Sequence, residues 1–273
     1  MDYIITGASR GIGRALVQAI AQGAATSADR IVAVARDGER LRALAQSLAG
    51  SCPIIWHTAD LSRVSEARAL GHVLAAQVSP GATLVHNAGL WPTHLQRVDG
   101  VEAAFATNCL GLIALHDPLL QAGVLSRVLV VSAGLIVQGH FDAEKTPVGD
   151  DFSRLRTYCS TKLAGAVAMR DAARAHPQVD FAIVHPGVVN TDLGVATGAL
   201  GWLTQQVKRF WETPEVCAAR LLRILQRPRW EHTAGEAPWF SEEHERPWPP
   251  QVERDALAVR AAIARHLPTP DRS

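Results

Sequence analysis

Tyr158 and Lys162 stand four residues apart in "TYCSTKLAG" (157–165), with only Cys159, Ser160 and Thr161 between them. Four residues is about one helical turn, so on a helix the phenol and the ammonium share a face. Such a pair can do acid–base chemistry. A free phenol has a pKa of about 10 and is about a thousandth ionised at neutral pH, and a nearby cation favours the phenolate. Lowering that pKa by ~3 units takes ~4 kcal/mol, which a dry cleft can supply and a wet surface cannot. The competing reading is two snorkelling side chains on an exposed helix.

A second group able to do chemistry is "TGASRGIG" (6–13), where an apolar run turns into a helical pattern. Gly7 permits a tight turn, Gly11 lets backbone approach a pyrophosphate, and Gly13 allows close helix–strand packing. The helix N-terminus that follows attracts anions. At the end of the second apolar run, "VAVARD", Arg36 suits the 2′-phosphate of NADP, and Arg10 in the glycine turn can join it. Asp37 could accept from the 2′-hydroxyl of NAD, or simply cap the next helix. The charge logic favours NADP(H).

These residues need elements to hold them. Six short apolar runs recur: "YIIT" (3–6), "RIVAVA" (30–35), "PIIWH" (53–57), "ATLVHNA" (82–88), "RVLVVS" (127–132) and "FAIVHP" (181–186). Amphipathic stretches at 10–22, 38–49 and 62–78 alternate with them. Strands apolar on both faces, alternating with helices, predict an α/β chain: a doubly wound Rossmann fold with a central parallel sheet and helices on both faces. Helices are also expected over 213–226 and 251–267, in a C-terminal elaboration (about 190–273) of a single domain spanning 1–273. That part holds five of the seven tryptophans: Trp202, Trp211, Trp230, Trp239 and Trp248.

With 27 basic and 26 acidic residues spread evenly, the net charge of +1 leaves no footprint for nucleic acid or a membrane surface. The opening "MDYIITGAS" does not have the form of a signal peptide, and no apolar run is of membrane-span length. Cys52, Cys109, Cys159 and Cys217 have no zinc spacing and suit buried positions in a reducing, cytoplasmic setting. No metal is expected.

The chain resembles the short-chain dehydrogenase/reductase family. The family's TGxxxGxG is Thr6–Gly13, its adenine-contacting acid Asp60 in "ADLS", its NAG Asn87-Ala88-Gly89, its helix asparagine Asn108, its YxxxK Tyr158–Lys162, and its PGxVxT lies in "HPGVVNTDL" (185–193). "ARDGERLRALA", the insert with "GHFDAEK", and "YCSTKLAG" resemble the branch of retinol dehydrogenases, the WW-domain oxidoreductase and protochlorophyllide reductase. The resemblance implies an NADP(H)-dependent interconversion of a carbonyl and an alcohol on a bulky, largely apolar small molecule, by a homodimer or homotetramer. It makes Tyr158 the general acid/base, and gives Lys162 the phenolate and the nicotinamide ribose. Asn108 would anchor a water of the proton relay. Cofactor contacts are implied for Gly7, Ser9, Arg10, Gly11, Ile12, Gly13, Arg36, Asp60, Leu61, Asn87, Ala88, Gly89, Lys162, Pro186, Gly187, Val189 and Thr191.

One motif breaks. The family's catalytic serine is the second of two after strand five, and "VVSAG" offers Ser132 at the first position and Ala133 at the second. Ser132 is expected to serve through a small loop adjustment; otherwise Tyr158 binds the oxygen alone. Cys159 is filler, and His94, His116, His140 and His185 are structural. Segment 197–250 is expected to wall the substrate cleft, with Trp202 facing the pocket and Trp211 packing helices. Two other functions fit the motifs: a dinucleotide-binding sensor without chemistry, and a reductase of an activated C=C bond or a pterin-like ring.

Overall fold

In the computed structural model, residues 1–24, 30–187, 212–230 and 233–267 are described. The apolar runs become strands β1 (Asp2–Thr6), β2 (Arg30–Ala35), β3 (Ile54–Thr58) and β4 (Ala82–His86). After them come a two-stranded hairpin, β5 (Arg97–Val98) and β6 (Val101–Glu102), then β7 (Leu125–Val131) and β8 (Asp180–His185). The last pair is β9 (Trp239–Ser241) and β10 (His244–Arg246). Eight strands form one sheet in the order β10-β9-β8-β7-β4-β1-β2-β3, parallel throughout except for β9 with β10. Because β1 lies between β2 and β4, the chain reverses its direction of travel there, and ligands of open α/β sheets bind at such a point.

Helices cover both faces. On one side α1 (Gly11–Ala19), α2 (Gly38–Ser47) and α6 (Pro214–Leu225) bury Leu16, Leu41 and Leu221 against Ile5, Ala33 and Val184. On the other, α3 (Val64–Gln77), α4 (Ala103–Gln121) and α5 (Arg154–Ala175) pack Leu74, Leu115 and Leu163 onto Ile4, Leu84 and Val128. The residues alternate between faces along each strand, so a run apolar at every position is what a sheet covered on both sides requires.

Some expectations change. The helix foreseen over 251–267 is two, α7 (Pro250–Arg254) and α8 (Ala256–His266). They part at Asp255, whose carboxylate turns inward to accept from the backbone N–H of Phe141 and from Arg254. The β5–β6 hairpin turns on Asp99-Gly100, both at positive φ, a type of two-residue turn that Asp-Gly favours. By length and composition α4 could cross a membrane, contrary to expectation. However, 83% of its most apolar stretch is buried within the fold, as in a core helix.

The middle of α4 widens into a π turn, Ala106–Leu110. A Cβ on Gly165 of α5 would lie 2.4 Å from the Asn108 carbonyl oxygen, so the two helices cross there in near backbone contact. This crossing brings the tyrosine–lysine turn of α5 up to Asn108.

Candidate active site

The glycine turn and the segment after β4 are stapled together. The Thr6 hydroxyl accepts from the backbone N–H of Asn87 and of Ala88, both at 3.0 Å, and the Asn87 amide donates to Thr6 O at 2.9 Å. Gly7 and Gly11 hold φ of +67° and +55°, where a side chain is strained. A Cβ on Gly13 would lie 2.4 Å from both Gly7 O and the Asn87 amide nitrogen, so Gly13 serves contact with the turn and Asn87. Arg10 stands at the N-cap of α1 without a side-chain cap, and the first turn holds no acid. An uncapped helix start beneath a cradle that any side chain would fill fits a dinucleotide pyrophosphate.

Around this turn, Arg36 is exposed just past β2. Asp37 is the N-cap of α2: one oxygen accepts from Arg40 N at 3.0 Å and the other pairs with the Arg40 guanidinium at 3.1 Å. Asp60 accepts from the N–H and the hydroxyl of Ser62, at 3.0 and 2.8 Å. Leu61 and Ala8 are buried, whereas Ser9 and Ile12 are half-buried at the turn. Pro186 and Gly187 follow β8. Gly187 sits at φ +105°, and Pro186 O accepts from the buried Arg220, which is itself held by both oxygens of Glu212 at 2.8 Å. Val189 and Thr191 lie outside the described residues, as do Trp202 and Trp211.

The acid–base pair lies at the carboxyl end of β7. Lys162 is buried, and its Nζ donates to Val131 O, the last carbonyl of that strand, at 2.9 Å. A Cβ on Gly89 would come within 2.9 Å of Nζ and 3.3 Å of Asn108 Oδ1; the bare glycine leaves the ammonium its room. Burial lowers the Lys162 pKa to about 8. Burial also pushes the Tyr158 phenol above its ordinary value, with a smaller push from Cys159. The desolvation penalty dominates, and the ammonium is turned to a backbone carbonyl.

Asn108 sits in the π turn and is spoken for. Its Oδ1 accepts from Leu90 N at 2.8 Å, and its amide donates to Leu90 O at 2.9 Å and to Thr161 Oγ1 at 3.0 Å. Both amide hydrogens are committed, so only the second lone pair of Oδ1 is left for a water. Ser132 is buried, with its N–H on Val184 O at 2.8 Å, and its Oγ is enclosed without a hydrogen-bond partner. Ala133 is buried beside it, and the next residue, Gly134, packs against the His185 ring.

Three features had escaped the sequence. Trp91 stacks on Tyr158, ring centroids 4.2 Å apart and planes 17° from parallel; an aromatic two residues after Asn-Ala-Gly was its only signal. His116 is not a lone histidine, since its Nδ1 meets His86 Nε2 at 3.2 Å, and burial holds both rings well below the ordinary histidine pKa. Arg220, inside an amphipathic helix, gave no sign that it would reach Pro186. Among the described tryptophans, Trp230 is core, with its N–H on Ile224 O and Arg127 over its ring at 3.8 Å. Trp239 and Trp248 line a cleft of about 610 Å³ with Arg170 and Arg174, away from Tyr158. The four cysteines are buried and unbridged.

A sheet of this order, with a glycine turn at its point of reversal, is the Rossmann architecture. The chain belongs to the short chain dehydrogenase family, whose profile matches residues 3–199, and that family consists of oxidoreductases. It is 33% identical over 202 residues to a protein of Streptomyces sp. (strain C5) provisionally named daunorubicin C-13 ketoreductase DnrU, covering 72% of this chain and 68% of the relative. With human retinol dehydrogenase 13 it shares 28% identity over 208 residues, 72% of this chain and 62% of that one, in keeping with the branch that the sequence resembles. In these two relatives the chain spans only about two thirds of the length. A solved alcohol dehydrogenase from Thermococcus sibiricus, complexed with 5-hydroxy-NADP, superposes with a TM-score of 0.64 at 22% identity, over 90% of this chain and 98% of that one. A complex of Pseudomonas aeruginosa RhlG with NADP gives 0.65 at 20% identity, over 87% and 93%.

Proposed function

We propose that this protein is an NADP(H)-dependent oxidoreductase that interconverts a carbonyl and an alcohol on a bulky, largely apolar small molecule. The observation that carries the proposal is the Tyr158–Lys162 turn, with its half-buried phenol and buried ammonium, at the carboxyl end of β7 beside the stapled glycine turn. When bound, the nicotinamide cofactor supplies or accepts the hydride. The chain's own part is the proton: Tyr158 Oη gives one to the substrate oxygen in reduction and takes one back in oxidation. A phenol kept protonated by burial suits the donor role. Lys162 would hold a cofactor hydroxyl, and its lowered pKa lets it hand on a proton near neutral pH. Arg36 favours NADPH, since Asp37 is engaged as a helix cap. Relatives whose names mention ketone or pterin aldehyde reduction support a carbonyl substrate over a C=C bond.

The enclosed Ser132 hydroxyl favours a second reading, a dinucleotide-binding protein with slow or no turnover. One experiment separates them: a panel of ketones, aldehydes and alcohols assayed with NADPH and NADH by nicotinamide absorbance, beside cofactor binding by fluorescence. Turnover that prefers NADPH and falls ~10²–10⁴-fold in Tyr158→Phe, with NADPH affinity kept, is the expected result. Tight cofactor binding without turnover of any panel member would replace the proposal by the sensor.

A further inference from the structure

The stack of Trp91 on Tyr158 closes a ring of contacts. Leu90, directly before Trp91, is gripped at both its N–H and its carbonyl by the Asn108 side chain. The same amide donates to Thr161 Oγ1, and that hydroxyl donates to the Tyr158 carbonyl oxygen at 3.2 Å. From Trp91 the path runs through Leu90, Asn108 and Thr161 to the backbone of Tyr158, then across the stacked rings to Trp91 again. The indole is therefore delivered to the phenol by the node that fixes the helix turn carrying the phenol.

Resting on the reading of Tyr158 as the proton donor, we propose that Trp91 is a positioning residue, which sets the plane of the Tyr158 ring and keeps water from one of its faces. A stacked aromatic pair adds attraction beyond the area that it buries, and here it opposes rotation of the phenol about its side-chain torsions. Water kept from that face also disfavours the phenolate. Of the titratable groups, Cys159 on α5 acts on the phenol; Lys162, one turn further along α5, holds its Nζ on Val131 O and acts on the neutral His86–His116 pair. On Trp91's own loop His94 is exposed and bonded to Thr93. Trp91 thus acts on Tyr158 through contact and desolvation, not through charge.

The chain has only two tyrosines, Tyr3 and Tyr158, so a protein labelled with carbon-13 at tyrosine Cζ gives two signals, assigned with Tyr3→Phe. This measurement needs no turnover. In the wild-type protein the Tyr158 signal should titrate above the ordinary phenol value, with circular dichroism verifying the fold. In Trp91→Ala its midpoint should fall by about 1 unit or more as water reaches the ring. Trp91→Phe, which keeps an aromatic face, should behave as wild type. With a substrate from the panel, Trp91→Ala should lower kcat by more than tenfold while NADPH affinity stays within threefold. An unmoved Tyr158 midpoint in Trp91→Ala overturns the proposal, as does a rise in KM with kcat unchanged, which would make Trp91 a substrate wall alone. A wild-type protein without turnover refutes the assigned function, and the tyrosine signals still decide the stack.

Discussion

Gly89 separates the needs of the site from those of the fold. An added methyl would meet Lys162 Nζ at 2.9 Å, the free end of a flexible side chain, and Asn108 Oδ1 at 3.3 Å. The backbone there is not at positive φ, so alanine brings no strain of its own. Gly89→Ala should therefore fold with a melting temperature within a few degrees of wild type, yet lose at least tenfold in kcat by moving the ammonium from Val131 O. A variant with full kcat would show that the position of Nζ is not critical. The contrast with Gly13 is instructive: there the added methyl meets backbone oxygen at 2.4 Å, and the fold itself must give way.

At the scale of elements, β7, β8 and α6 are joined by one half-buried ion pair. Arg127 in β7 donates from Nε and Nη2 to Asp180 at the start of β8, at 3.2 and 3.1 Å. Its Nη1 and Nη2 also donate to the carbonyls of Leu225 and Arg227, at and just past the C-terminus of α6, where carbonyls have no helical partner. Asp180→Asn should lower stability by about 2 kcal/mol, seen as a lower urea midpoint with an unchanged slope, because the half-buried arginine loses its charged hydrogen-bond partner. A loss below about 0.5 kcal/mol would mean that the carbonyls hold Arg127 unaided. The apolar runs and the glycine spacing were legible in the sequence because their pattern is local: each strand needs neighbours two residues apart, and the turn is written in eight consecutive residues. Arg127 is opaque by the same reasoning. In "RVLVVS" it looks like a polar start to a strand, and its partners are 53 and about 100 residues away. Of the candidate site, the Tyr158–Lys162 turn could be read from its own helix. The Trp91 stack and the enclosure of Ser132 are products of tertiary packing.

For the whole molecule, Lys162 links the site to global stability. Its pKa is about 8 when folded and about 10.5 in an unfolded chain, so between those values the unfolded state binds more protons and stability rises with pH. The penalty for burying the ammonium is full below pH 8 and gone above 10.5. Replacing it by an apolar chain of similar length removes that slope. The unfolding free energy of Lys162→Met relative to wild type should therefore be most favourable near pH 7 and decline by about 3 kcal/mol by pH 10.5, measured by denaturant titration at each pH. A constant difference would mean that burial leaves the Lys162 pKa at its unfolded value. Chain length is constrained unevenly as well. A π turn is what a helix makes of one residue more than its regular winding needs, and α4 has one between Ala106 and Leu110. Deleting Thr107 would let the helix close into ordinary turns with both flanks still in register, so the protein should remain folded. The deletion should nevertheless abolish turnover, because Asn108 would swing off Leu90 and Thr161. In a library of single-residue deletions, this short stretch of the core should therefore yield folded but inactive proteins. The surplus residue is one that the architecture can spare and the chemistry cannot.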